Sequence, residues 1–252
     1  MTDKLTDRQF WIDYWENKAD LIQFVTTKNF FKPLFEKILA DQSIRNSLEI
    51  GGFPGYFSIY LKKYFQIEPT LLDYVIHHNI VVDLLEHNKM SVGDLNLIEA
   101  DLFANHLKGN FDLTISYGFI EHFLDTKDII QRHINFTKPG GTLFIIVPNF
   151  QGVNGWVNKK YNIESFNKHY LECMDRKNLF YVAKSCHLVD IQTFYYGKFS
   201  IWLENISTKS LLFKFVFKLV WFLGKTITTI IPVNSKLLSP YTVLIAKKSI
   251  DH

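Results

Sequence analysis

Apolar residues recur every three or four positions over Gln9–Lys18 and again over Phe30–Leu39, which predicts two helices early in the chain. From Ser47 the pattern changes to short apolar runs. Ser47–Ile50, Thr70–Asp73, Leu95–Glu99, Phe111–Tyr117 and Thr142–Val147 read as strands. Helical patterns at Tyr56–Tyr64, Val75–Glu86 and Thr126–Phe136 fall between most of them. The Lys-Pro-Gly-Gly stretch at Lys138–Gly141 predicts a turn before the fifth strand. Strand and helix in alternation predict an α/β fold with a parallel, doubly wound sheet, because each parallel connection needs a crossover helix. Asp175 is placed to cap a further helix over Lys177–Ser185, and Tyr241–Ala246 predicts a last strand.

Between those two comes a long apolar insertion, Ser207 to Ser239. Within it Leu211–Ile231 is long enough to suggest a membrane span, yet it carries Lys214, Lys218 and Lys225. At 100° per residue these lysines share an arc of about 40°, with Phe213, Phe215, Leu219, Val220, Phe222 and Leu223 off it. That geometry suits a helix lying on an anionic membrane surface. A helix packed on the sheet, or on a second subunit in a homodimer, suits the same residues.

The composition narrows the partners. With 252 residues, 47% hydrophobic and 21% charged, the chain can bury one sizeable core. A net charge of +3, with lysine far outnumbering arginine, argues against nucleic acid, which favours the bidentate arginine fork. Cys173 and Cys186 lack metal-ligand spacing, and the opening stretch to Trp11 has no apolar signal-peptide run. A cytoplasmic protein with reduced thiols is expected.

The chemistry begins after the first strand. Glu49, Gly51, Gly52 and Gly55 spell E-x-G-G-x-x-G on a turn leading into a helix, where small residues let a ligand approach backbone N–H groups. A dinucleotide fingerprint needs glycine where Phe53 and Tyr56 stand, so a nucleotide-dependent oxidoreductase is disfavoured. A tight structural turn would also explain the glycines. Asp73 ends the second strand 22 residues after Gly51, where a carboxylate can accept both ribose hydroxyls of an adenosine or stand solvated at a strand end. Asp101 and Leu102 follow the third strand within Glu-Ala-Asp-Leu-Phe. Glu121 and His122 follow the fourth, within Phe111–Phe123.

In that order, these segments and His133–Phe150 resemble the class I S-adenosylmethionine-dependent methyltransferases, small-molecule type, over about Asn46–Phe150. The resemblance implies a Rossmann-like sheet with an antiparallel last strand and S-adenosylmethionine as cofactor. The expected layout is an N-terminal helical cover (1–45), a cofactor-binding core (46–150), substrate-side elements (151–200), the helical insertion (201–239) and a last strand with its tail (240–252). Glu49, Gly51, Gly52 and Gly55 would shape the methionine end, Asp73 the ribose, and Asp101 with Leu102 the adenine. Tyr117 would lie near the sulfonium. Phe53 stands where the family's middle glycine falls. Alignment of the reacting groups can supply about 7–11 kcal/mol, so no metal is required and none is assigned.

His122 and His169 are the candidate bases for an acceptor hydroxyl, and each could instead only anchor its loop. His77 and His78 are expected at the surface. Phe10, Trp11, Tyr14 and Trp15 either cover the cofactor or pack on the core. The expected activity is methylation, at oxygen, of a small or lipid-linked acceptor such as a cell-surface glycan. A non-catalytic, membrane-bound scaffold on the same fold is the alternative. The expected location is the cytoplasm, peripheral at the inner face of the membrane.

Overall fold

The structure, a computed structural model, describes residues 4–104, 107–231 and 233–250. Residues 1–3 of the N-terminal cover and 251–252 of the tail lie outside the described residues. In chain order the elements are α1 (Arg8–Glu16), α2 (Lys32–Leu39), β1 (Asn46–Ile50), α3 (Tyr56–Phe65), β2 (Glu68–Asp73), α4 (His78–His87), β3 (Asn96–Glu99) and β4 (Phe111–Tyr117). Then come α5 (Thr126–Phe136), β5 (Thr137–Pro148), α6 (Val153–Tyr161), α7 (Ile163–Phe166), α8 (Arg176–Ser185), β6 (Leu188–Tyr196), α9 (Leu211–Ile230) and β7 (Tyr241–Lys248).

The strands form one seven-stranded sheet in the order β3-β2-β1-β4-β5-β7-β6. It is parallel except for β7, which runs antiparallel to both β5 and β6. The fold is therefore the Rossmann-like α/β sheet with a reversed strand that the alternating pattern and the resemblance imply. The expected strands and helices recur within a few residues of their expected ends. The expected turn at Lys138–Gly141 does not: those residues continue β5, and the register against β4 slips between Phe111 and Leu113. Gly140, with φ +75°, absorbs that irregularity in a conformation that side chains disfavour.

Alternation along the strands divides the core. Leu143, Ile145 and Val147 of β5 join Leu48 and Ile50 of β1 beneath α5 and α8, where Ile129, Ile130, Leu179 and Ala183 meet them. Phe144 and Ile146 point the other way, with Leu113 and Ile115, onto Phe35 of α2 and Tyr60 of α3. Leu71, Val81, Leu84 and Leu85 extend the second layer toward β2 and α4. Burial on both faces is what a parallel sheet covered by helices requires.

Helix α9 departs from this layering. It rests on the body along one stripe, where Phe213, Phe217 and Trp221 pack with Phe199, Ile201 and Leu203. A Cβ on Gly224 would meet the Phe199 ring at 2.2 Å, so the helix approaches almost backbone to ring there. Thr228, the helix's single buried residue, accepts the Phe199 N–H at 2.9 Å. Its other side is apolar and open: Leu211, Leu212, Phe215, Val216, Leu219, Phe222, Leu223, Ile227 and Ile230 are all exposed. Lys214, Lys218 and Lys225 occupy one flank between the packed stripe and this face, as the helical wheel places them. Among the described residues, no helix is long and apolar enough to cross a membrane.

Phe144 lies fully buried at the centre of the sheet, its ring 5.3 Å edge-on from Phe35. Phe144→Ala is expected to destabilise the fold by about 3–5 kcal/mol through lost burial and the cavity left behind. Urea denaturation measures it, and a loss below about 1 kcal/mol would mean that the two layers do not meet through this ring.

Candidate active site

Sheet order reverses between β1 and β4, so the crossovers leaving these neighbours diverge and a crevice opens at the strands' carboxyl ends. A cavity of about 540 Å³ fills it, within the range of small-molecule sites. Its lining includes the loop after β1, Asp73 and Tyr74 after β2, Asp101 to Phe103, and Tyr117 to Phe123 after β4. Helix α1 closes one side with Phe10, Trp11, Tyr14 and Trp15. The aromatic stripe thus faces the cavity, and Trp15 at its end also packs on the core beside Phe53.

Two buried carboxylates hold the β1 loop. Glu49 faces α3 and accepts the Ser58 N–H at 2.8 Å and the Ser58 hydroxyl at 2.6 Å, fixing the start of that helix. Burial pushes Glu49 up to about 7, against these bonds. Asp73 accepts the Phe53 N–H at 2.9 Å and the Val75 N–H at 3.2 Å. Burial raises it to about 6. Neither group stands solvated at a strand end. Between them the backbone runs tight: Gly51 has φ +64°, and a Cβ there would fall 2.0 Å from the Phe119 ring. A Cβ on Gly52 would fall 2.3 Å from Glu49.

Gly55, at φ +100°, opens α3 beneath Leu71 and Leu95, beside the cavity and not in its wall. Leu102 is buried in the core and touches the cavity. Asp101 is not free: Lys4 pairs with it at 2.9 Å, and its own loop donates the Phe103 N–H at 3.0 Å. The Lys4 ammonium lies 4.7 Å from the ring centres of both Tyr74 and Phe103. His78 is exposed as expected, but His77 is half-buried against Phe53, ring centres 5.7 Å apart, because Phe53 turns under it.

Beyond β4, Glu121 and His122 form a short turn whose side chains are buried. The Tyr170 N–H donates to the Glu121 carbonyl at 2.7 Å, lashing this turn to the segment that carries His169. His122 Nδ1 donates to the Lys168 carbonyl at 2.9 Å, and His169 Nδ1 to the Ser165 carbonyl at 2.7 Å. Their ring centres are 5.0 Å apart. Burial, with the neighbouring imidazole, lowers His122 to about 3, and burial also lowers His169. Both are neutral near pH 7. Glu121 Oε2 is buried without a partner, and burial carries the carboxyl up to about 8.

Tyr117 is open to the cavity, its hydroxyl 3.0 Å from that of Tyr241. Every expected site residue except Gly55 therefore lines one cavity, together with Lys4, Tyr74, Phe119, Phe150, Trp202 and Tyr241, which sequence reasoning did not single out. Phe119 and Phe150 lie in segments already marked by their motifs. Trp202 and Tyr241 come from a loop and a strand start distant in sequence, without a local signal.

The sequence matches the methyltransferase-domain family over residues 11–185. No curated relative matches it. Among solved structures it is similar to phosphoethanolamine N-methyltransferase 2 from Haemonchus contortus, determined with phosphomonomethylethanolamine and S-adenosylhomocysteine. The identity there is 17% and the TM-score 0.54, covering 92% of this chain and 61% of that one. The chain thus spans about three-fifths of that enzyme's length. A SAM-dependent methyltransferase from Archaeoglobus fulgidus aligns at 16% identity and TM-score 0.51, over 87% of this chain and all of that one. Geranyl diphosphate C-methyltransferase from Streptomyces coelicolor A3(2), in complex with Mg2+, geranyl diphosphate and S-adenosylhomocysteine, aligns at 13% and 0.58, over 96% and 98%. At these identities the structural likeness shows the fold.

The raised Glu49 carboxyl gives stability a definite pH dependence. Below its ordinary 4.5 it is protonated folded or unfolded. From there to about 7 only the unfolded chain ionises, so stability is lost as pH rises, by about 1.4 kcal/mol per unit at the steepest. Urea midpoints for the wild type and Glu49→Gln are expected to differ by an amount that moves against the wild type from pH 5 to 7 and then levels off. Parallel pH profiles would mean that Glu49 is ionised throughout.

Proposed function

We propose that this chain, which belongs to the methyltransferase-domain family, methylates an oxygen of a small acceptor at the Glu121–His122–His169 end of its cavity. The observation that carries this reading is a pair of neutral imidazoles, His122 buried and His169 partly buried, in an otherwise largely aromatic chamber. S-adenosylmethionine supplies an electrophilic methyl group on a positively charged sulfur. The cavity fits it: Gly51 and Gly52 let the loop backbone pass close to Phe119 and Glu49, Asp73 stands below for the ribose hydroxyls, and Leu102 offers an apolar edge to the adenine. Asp101 would take the adenine amino group on release from Lys4, and Glu49 would support the methionine end through the loop it holds.

Trp11, Phe150 and Trp202 would position the acceptor beside Tyr117. Orientation is the larger contribution, about 7–11 kcal/mol. His122 or His169 would take the hydroxyl proton on Nε2, since each Nδ1–H is committed to a carbonyl; such a base adds roughly 10²–10⁴-fold. The fully buried His122 is the weaker proton acceptor. His169, partly buried, is the better one.

A second reading concerns where the acceptor is met. The outward apolar face of α9, with lysines on its flank, favours a peripheral site on an anionic membrane surface and a lipid-linked acceptor, such as a lipid-linked sugar.

Isothermal calorimetry is expected to show S-adenosylmethionine and S-adenosylhomocysteine binding at micromolar concentrations, and no heat from NAD. Asp73→Ala is expected to weaken that binding by about 1.5–3 kcal/mol, the usual loss for hydrogen bonds to a charged group. NAD binding without adenosylmethionine binding would overturn the assignment, and unchanged affinity in the variant would remove Asp73 from it. For α9, the wild type is expected to sediment with anionic vesicles at low salt. Reversing Lys214, Lys218 and Lys225 to glutamate is expected to release it, each lysine contributing about 1 kcal/mol. A protein that never sediments would remove the lipid-linked acceptor in favour of a soluble one, and a dimer split by Phe215→Asp would make this face a protein interface.

A further inference from the structure

The Glu121, His122 and His169 side chains have a second use that replaces proton acceptance, because a nitrogen lone pair given to an ion cannot also take a proton: their arrangement is that of a ligand set. One donor atom from each lies within 4.8 Å of the others. Both imidazoles donate Nδ1–H to backbone carbonyls, at 2.9 Å for His122 and 2.7 Å for His169. This fixes the tautomer, orients each ring and leaves the Nε2 lone pairs uncommitted, the outer support that metal-ligating histidines have. The third donor is independent of the histidines. Glu121 is 1% exposed, lines the cavity and has no partner for Oε2. A buried carboxyl without a partner costs free energy that an adjacent cation would offset.

We propose that Glu121, His122 and His169 bind one divalent first-row transition-metal ion at the acceptor end of the cavity, through two imidazole nitrogens and one carboxylate oxygen. Imidazole suits zinc, iron, cobalt and nickel, and mixed nitrogen and oxygen donors disfavour magnesium and calcium. Bonds of about 2.1 Å place adjacent ligands about 3.0–3.4 Å apart, so from separations of up to 4.8 Å the donors close in by up to about 1.4–1.8 Å on binding. The hydrogen bond from Tyr170 to the Glu121 carbonyl holds both ligand-bearing segments side by side, so that rotation of the side chains can bring the donors together. Three protein ligands leave coordination positions open. These face the cavity, where an acceptor hydroxyl or carboxylate oxygen can occupy one. An ion there would lower the pKa of the hydroxyl, the proton leaving to solvent, so the acceptor class becomes one with an ionisable oxygen.

What the ion does for an acceptor rests on the methyltransferase reading; that it binds does not. The test is titration of the metal-free protein with Co2+, read by visible absorption, with S-adenosylhomocysteine binding measured on the same samples. One equivalent is expected to bind and give ligand-field bands, with Zn2+ displacing it. Glu121→Gln, which keeps the side chain's shape, and His169→Gln, at the less buried position, are each expected to weaken Co2+ binding at least tenfold. S-adenosylhomocysteine affinity should stay within about threefold. Circular dichroism establishes that each variant is folded, and should one not fold, the other decides. A wild-type protein that binds S-adenosylhomocysteine but takes up no stoichiometric Co2+ or Zn2+ overturns the metal site alone, as does binding unchanged in a folded variant. Metal binding without S-adenosylhomocysteine binding would leave the site standing and sink the reading of the cofactor end.

Discussion

The parallel pairing of β1 with β4, at the point where the strand order reverses, is the constraint on which the site depends. Ile50 lies in register with Ser116, so the loops that follow both strands start side by side and must part, one toward α3 and the other toward α5. That divergence makes a crevice without any residue being chosen for it. What the residues supply is the floor, the lid and the chemistry. Because the sheet is buried on both faces, the strand ends cannot shift independently, and a loop tied to them inherits their rigidity.

The floor is held by groups that are expensive to bury. Glu49 and Asp73 lie under the same loop, each bonded to backbone N–H groups, and each holds its proton more tightly than a free carboxyl does. At neutral pH a hydrogen-bond-donating ligand above them meets the Asp73 carboxylate already placed, at a cost in stability carried by the rest of the core. Preorganisation of this kind reduces the ordering that binding would otherwise require. The opposite wall is aromatic, so a ligand is gripped between a polar floor and an apolar lid.

Much of this was legible in the sequence because it is local. The strands of the parallel sheet appear as apolar runs since both faces are buried, and Asp73 and the Gly51–Gly55 turn are visible by distance from a strand end. β6 was not delimited, because an edge strand half open to solvent leaves no apolar run. Nothing local joins His169 to His122, 47 positions away, or Lys4 to Asp101, 97 away; those pairs exist only once the chain is folded. The N-terminal aromatics were ambiguous for a physical reason, since a stripe that lines a cavity has the same period as one that packs on a core. Orientation, not composition, separates the two.

Phe53 stands where related turns carry their second glycine, yet the turn keeps its course. Its side chain leaves the loop away from the floor, toward Trp15 and His77. The glycines at 51 and 52 are the ones whose missing Cβ atoms leave space for the Phe119 ring and for Glu49. The motif is thus a rule about which positions have room for a side chain, not about how many glycines appear. Sequences that satisfy it can drift in spelling while the shape of the turn persists. Divergence in this loop is therefore a poor measure of lost ancestry, and a comparison weighted by the space behind each Cα would place such chains more faithfully than one that counts matching letters.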